Sequence, residues 1–286
     1  MKKVGVLYIC TGPYSRFWDG FYSSFEKNFL LDCEKHYFVF TDSEGDIENS
    51  DRNVTVVKID ALPWPLITLL RFRTFLNIED ILRKYDYLVF ANANMKCDSP
   101  IFSEEFLPRK ELGESIAVTL HPGYVNKHIT FYPYERRRIS LAYIPWNCGT
   151  VYVIGAMIAG TSEAFLEMSK TLKWSIEEDL KKNVIAKWHD ESHLNRYIIR
   201  KDGIRLLPPS YCYPSGGEPR YQRKIYAVDK KDVFDVDVFK GNYEKIGICE
   251  KVYLRLKKKL TFVMQILYVR DVILKRNVDE MKMGND

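Results

Sequence analysis

Lys3-Val4-Gly5-Val6-Leu7-Tyr8-Ile9-Cys10, followed at once by Thr11-Gly12-Pro13, decides the fold class of this chain. An apolar run of strand length, ended by glycine and proline, reads as a buried first strand. Phe17 to Phe29 then carries apolar residues at helical spacing, so the opening is strand, turn, helix. Working outward, His36 to Phe40 and Val54 to Ile59 predict strands, Leu66 to Tyr85 a helix, and Tyr87 to Phe90 a short buried strand. Ile116 to Leu120 is a further strand, and an apolar segment runs from Val151 to Ile158. Thr161 caps a helix from Ser162 to about Lys182, and Glu191 to Arg200 forms another. Strands alternating with helices predict an α/β sheet, whose ligands sit beyond the carboxyl ends of its strands. The Thr11 turn and Asn92-Ala93-Asn94 both fall there, so two separate segments point at one crevice.

The bulk numbers narrow the function. The 286 residues carry 46% hydrophobic and 28% charged side chains, ordinary globular usage that argues against disorder. A net charge of +5 lacks the basic stripe of a nucleic-acid binder and suits a small anionic ligand or a membrane surface. The six cysteines contain no C-x-x-C pair, so they predict reduced thiols rather than zinc or a disulfide framework. With no export signal at Met1-Lys2-Lys3, the expected location is the cytoplasm. From Glu250 to about Arg276 the pattern turns basic and apolar, with Leu254, Leu256, Leu260, Val263 and Leu267 among Arg255, Lys257, Lys258 and Lys259. Such a segment either lies on anionic lipid at the inner face of the membrane or packs on the domain or a partner. The domain is expected over residues 1–240, with a basic helical extension over 241–286.

Two constellations carry chemistry. Trp188-His189-Asp190-Glu191-Ser192-His193-Leu194-Asn195 is the denser. His189 and His193 have the i, i+4 spacing of a zinc helix, but Asp190 stands in the glutamate slot and no third ligand is nearby. In glycosyl transfer a carboxylate is needed beneath the anomeric carbon as nucleophile or charge stabiliser, which Asp190 or Glu191 supplies. The bland alternative is an acidic pair that only complements a helix dipole. The second constellation is Asn92-Ala93-Asn94 at the end of the Tyr87 strand. Nucleotide-sugar enzymes often place Asp-x-Asp there to hold a divalent ion, whereas two amides leave a cation poorly compensated and call for basic side chains at the pyrophosphate. Taken alone, Asn-x-Asn is also an ordinary turn.

Together with Leu120-His121-Pro122-Gly123, Tyr134-Glu135-Arg136-Arg137, Ala142-Tyr143-Ile144-Pro145 and Ile154-Gly155-Ala156, these motifs resemble glycosyltransferase family 6, in order, from roughly Lys3 to Tyr213. The resemblance implies a single GT-A type domain, a Rossmann-like nucleotide-binding half with a mixed central sheet. It implies retaining transfer from a UDP-sugar to the 3-hydroxyl of a galactose. Glu191 matches the family's catalytic glutamate and Asp190 the aspartate that holds donor-sugar hydroxyls. Tyr8, Ile9 and Tyr14 resemble the uracil and ribose pocket, Arg71 the donor-binding arginine, and His121 and Trp188 the acceptor contacts. Asn92 and Asn94 replace the metal-binding aspartates of the animal members, as in bacterial members that work without metal, so no cofactor is expected. Lys230 or Lys231 is the candidate for the missing cation. In the donor-selecting triplet Ile154-Gly155-Ala156, alanine at the third position narrows the pocket toward UDP-galactose, with UDP-N-acetylgalactosamine the alternative. Pro133 departs from a family threonine near the acceptor. The expected acceptor is an oligosaccharide or lipid-linked glycan, with fucosylated galactose suggested by the bacterial relatives. A sugar-binding protein that has lost catalysis and a UDP-sugar hydrolase are the rival readings, against which the intact Asp190-Glu191 pair and His121 with Trp188 respectively weigh.

Overall fold

The computed structural model describes residues 1–43, 45, 47, 52–199, 201–214, 216 and 221–236. The first strand, β1 (Lys2–Ile9), sits inside the sheet. It pairs in parallel with β2 (Cys33–Thr41) on one side and β4 (Tyr87–Ala91) on the other, and β3 (Val54–Lys58) extends the sheet beyond β2. Two-sided burial explains the unbroken apolar run. Val4, Val6 and Tyr8 pack toward α1 (Trp18–Asn28), while Leu7 packs with α3 (Arg71–Leu76) and α6 (Ser162–Lys181).

The second half makes the sheet mixed. β7 (Val153–Thr161) runs antiparallel to β4 and to β6 (Ile116–Leu120), and β8 (Ile204–Leu207) closes the edge parallel to β6. The order is β3-β2-β1-β4-β7-β6-β8. α7 (His189–Ile198) packs on β7 and α6. Thr161 caps α6 as the sequence predicts, its hydroxyl accepting from the Ala164 N–H. A smaller sheet joins β5 (Met95–Cys97), β10 (Ile225–Ala227) and β9 (Tyr213–Pro214), bringing the end of the described chain back beside the Asn-Ala-Asn turn. α5 (Ser103–Phe106) lies between β5 and β6. This is a single α/β domain of GT-A type.

The predicted helix over Leu66 to Tyr85 is a correction. It is three short helices, α2 (Leu66–Leu69), α3 and α4 (Glu79–Leu82), broken at Leu70 (ψ 10°) and Ile78 (φ −121°). The break at Leu70 lets Arg71 start its own helix with its guanidinium turned inward, where it replaces surface exposure with buried partners. The last helix begins at His189, two residues before the predicted Glu191, with Trp188 as its N-cap. Among the described residues, no helix is long and apolar enough to cross a membrane. The extension over 241–286 lies outside the described residues.

Candidate active site

The crevice opens at the carboxyl ends of β1 and β4, where topology predicts a ligand site. Ile9, Thr11 and Tyr14 line it from the first turn, Arg71 from α3, Asn92, Ala93 and Asn94 from the end of β4, and Lys230 from the chain's return. Tyr8 does not reach it. Strand alternation turns the Tyr8 ring to the α1 face, where it packs at 4.4 Å from Phe21 and its hydroxyl donates to the Ala93 carbonyl at 3.2 Å. Its ring is fully buried in the core, so only the strand it belongs to, and not its side chain, borders the crevice. Lys230 and Lys231 are also told apart. Lys230 is in the lining, with its ammonium 5.2 Å from the Tyr14 ring centroid, while Lys231 is exposed and outside it.

Arg71 joins the crevice to the chemistry. Buried, it places Nε 3.1 Å from Asp190 Oδ2 and donates through Nη1 to the Gly155 carbonyl at 2.9 Å and to Asn92 Oδ1 at 3.4 Å. The face of Phe90 covers the guanidinium at 4.6 Å. Asp190 is thus an ion-paired carboxylate. Burial nevertheless dominates over Arg71 and pushes its pKa up to about 6.

Beside it, Glu191 is held by two donors: the Tyr152 hydroxyl at 2.6 Å and the Gly155 N–H at 2.8 Å. Burial pushes its pKa up to about 7, while the two hydrogen bonds favour the ionised form and pull the other way. Gly155 serves this geometry directly, because a Cβ there would stand 3.3 Å from Glu191 Cβ and 3.4 Å from Asp190 Oδ2. The triplet chosen in sequence for donor selectivity is therefore also the floor under the carboxylates. Ala156 accepts from the Asn92 N–H through its carbonyl at 2.9 Å, and Ile154 packs against the core; neither lines the crevice.

His121 and Trp188 flank the same carboxylate. His121 lies 5.7 Å ring to ring from Tyr152, in a group of aromatics with Tyr124 and Tyr132. Its Nδ1 accepts from the Gly123 N–H at 3.0 Å, and burial lowers its pKa to about 4, so at neutral pH it is an uncharged ring with its proton on Nε2. That is a donor suited to a sugar hydroxyl. Trp188 is 46% exposed and caps α7, its carbonyl accepting from the Glu191 N–H at 3.0 Å. The two histidines of the zinc-like spacing separate. His193 is buried against Ser175 and Asp179, its pKa lowered to about 4, while His189 meets the Trp64 ring edge-on at 5.1 Å.

Sequence reasoning missed Tyr152 and Trp64. Trp64 is 41% exposed in the crevice lining, and its position between Pro63 and Pro65 was an available signal, because prolines that stiffen an exposed aromatic suit a binding platform. Tyr152 yields a direct prediction. Tyr152→Phe removes one donor to the ionised Glu191, so the carboxyl pKa rises further and the pH of half-maximal transfer moves upward. A pH–kcat profile with an unmoved acid limb would disprove the contact's role.

A crevice at the carboxyl ends of a mixed α/β sheet, tied through Arg71 to a buried pair of carboxylates, suits a group-transferring enzyme. The sequence profile of Glycosyltransferase family 6 matches residues 2–236, and the chain belongs to that family. It is 36% identical over 228 residues to the O-antigen biosynthesis glycosyltransferase WbnI of Escherichia coli, covering 80% of this chain and 95% of that protein. It is 32% identical to globoside alpha-1,3-N-acetylgalactosaminyltransferase 1 of Gallus gallus (73% and 61% covered) and 27% to histo-blood group ABO system transferase 2 of Rattus norvegicus (78% and 67%). Membership makes it a hexosyltransferase that takes a nucleotide-sugar donor and a glycan acceptor.

Proposed function

We propose that the enzyme transfers galactose from UDP-galactose to the 3-hydroxyl of a β-galactoside, fucosylated at the neighbouring position, with retention and without a divalent metal. The observation that carries this reading is the Glu191 carboxylate, fixed by Tyr152 and Gly155 and joined through Gly155 and Asp190 to Arg71 at the crevice. The nucleotide lies along Ile9 and Tyr14, and Arg71 and Asp190 hold the sugar. The bond from the anomeric carbon to the UDP oxygen breaks, and retention follows either from attack of the acceptor oxygen on the face UDP leaves, with Glu191 as counter-charge, or from a bond to Glu191 formed as UDP departs and then displaced by the acceptor oxygen. The acceptor proton leaves with the diphosphate. Glu191 meets the cationic carbon, as nucleophile or as counter-charge. His121 donates to the acceptor, and Trp188 gives it an apolar face.

The residues at the Asn-Ala-Asn turn do not fit a divalent ion. Both side chains are neutral, the Asn92 oxygen already faces Arg71, and the Asn94 amide nitrogen donates to the Val228 carbonyl. Lys230 supplies the counter-charge instead. On the same reading the enzyme is cytoplasmic, with its basic 241–286 segment against the inner face of the membrane, working on a surface glycan that resembles blood-group antigens. The named chicken relative keeps the N-acetylgalactosaminyl donor as a second reading.

Product analysis by mass spectrometry decides between them, with UDP-galactose and UDP-N-acetylgalactosamine offered in parallel to a Fucα1,2-galactose acceptor in excess EDTA. Galactosyl product is expected. N-acetylgalactosaminyl product from the parent chain would overturn the donor assignment, and activity that returns only with manganese would overturn metal independence.

A further inference from the structure

The return of the chain to the crevice is held by an unusual pin. β10 pairs with β5 through Ala227 opposite Met95, and the ladder continues one step as the Val228 N–H donates to the Asn94 carbonyl at 2.8 Å. The Asn94 side chain then closes the same pair from the other direction, its amide nitrogen donating to the Val228 carbonyl at 2.7 Å. Asn94 is only 6% exposed. Immediately after Val228 the chain reverses: Asp229 Oδ1 accepts from the Lys231 N–H at 3.0 Å, and Lys230 swings back into the crevice lining over Tyr14. Farther along, Phe234 packs against Tyr14 at 5.0 Å. The Asn94 amide is therefore the pin two residues before Lys230, at the point where the strap leaves the sheet.

Only an amide can do this. A carboxylate has the same shape but no hydrogen, so it would set two negatively polarised oxygens at hydrogen-bond distance with no proton between them. The side chain or the strap would have to move.

We infer that Asn94 is a positioning residue that seats Lys230 at the donor diphosphate, and that an acid at this position and a seated lysine strap exclude one another. Asparagine here is thus required by its N–H, in addition to lacking the charge of a metal ligand. The inference rests on the proposed role of Lys230, and the test separates the two.

UDP binding is measured by calorimetry in EDTA on the full chain and on Lys230→Ala, Asn94→Ala, their double variant and Asn94→Asp, with melting curves alongside. Lys230→Ala is expected to weaken UDP about tenfold, the size of one charge-assisted contact. Asn94→Ala should weaken it several-fold, and the double variant should bind no more weakly than Lys230→Ala alone, because the amide acts through the lysine. Asn94→Asp should bind at least as weakly as Lys230→Ala and gain nothing from manganese. Additive losses, or parental affinity in Asn94→Ala while Lys230→Ala is weak, would overturn the pin and leave the lysine standing. Parental affinity in Lys230→Ala would overturn the lysine's role and the pin with it. Recovery of Asn94→Asp by manganese would show the site reverting to a metal centre and overturn the exclusion. Should Asn94→Asp fail to fold, the cycle between Asn94→Ala and Lys230→Ala still decides.

Discussion

Glu191→Gln is expected to slow transfer roughly 10³-fold and, in the same molecule, to raise the stability of the fold at pH 8. On the proposed mechanism, the first effect follows from removing the negative charge that would face the cationic carbon. The second follows from burial. The folded chain pushes the Glu191 pKa from 4.5 to about 7, so it binds this proton more tightly than the unfolded chain does. The stability that goes with the proton is fully present below pH 4.5 and is lost as pH rises through 7, at a cost of about 3 kcal/mol once the group is ionised. Glutamine never ionises, and it keeps an oxygen for the Gly155 N–H and an amide for the Tyr152 hydroxyl. The variant should therefore melt above its parent at pH 8 and level with it near pH 4.5, while UDP affinity changes little. Melting scans at the two pH values, read beside kcat, check both halves. Equal melting at pH 8 would mean that the fold holds this carboxylate at no cost.

Arg71→Met is the second large effect. It strands the buried Asp190 carboxylate, and breaking one side of a buried ion pair costs about 3–5 kcal/mol. The Gly155 carbonyl loses its donor as well. Pairing the substitution with Asp190→Leu removes the stranded charge, so the double variant should recover most of the stability in urea unfolding. Donor binding should stay lost in both. A single variant as stable as the parent would show that Asp190 simply takes up a proton when Arg71 is gone. Arg71→Lys is not expected to rescue either property, because a point charge cannot bridge Asp190, Gly155 and Asn92 from one planar fork.

How much of this was legible depends on the physical signal. β1, β4, α6 and α7 announce themselves through long apolar runs or helical spacing, and their placement brings Asn92, Asp190 and Glu191 toward one end of the sheet. The break at Leu70 was not legible, since an apolar helical period continues across it and only buried partners for Arg71 favour the kink. β5, β9 and β10 are two or three residues long, too short to show any period. Arg71 and His121 came from resemblance rather than from pattern. The direction of the Tyr8 side chain, toward α1, was not legible from the motif match, which does not resolve which face of a strand a side chain takes. Lys230 and Lys231 are adjacent and chemically identical, so only the reversal after Val228 separates them.

That reversal also sets a timetable for the growing chain. During synthesis β1, β2, β3 and β4 emerge first and can assemble as a parallel half-sheet, already carrying the Asn-Ala-Asn turn and Arg71. The carboxylates on α7 arrive a hundred residues after β4, and Lys230 later still. The donor crevice is consequently among the last parts to be finished. A nascent chain that has folded most of its sheet does not yet hold the lysine that completes the crevice lining, so on the proposed reading nucleotide-sugar binding follows completion of the domain instead of guiding it.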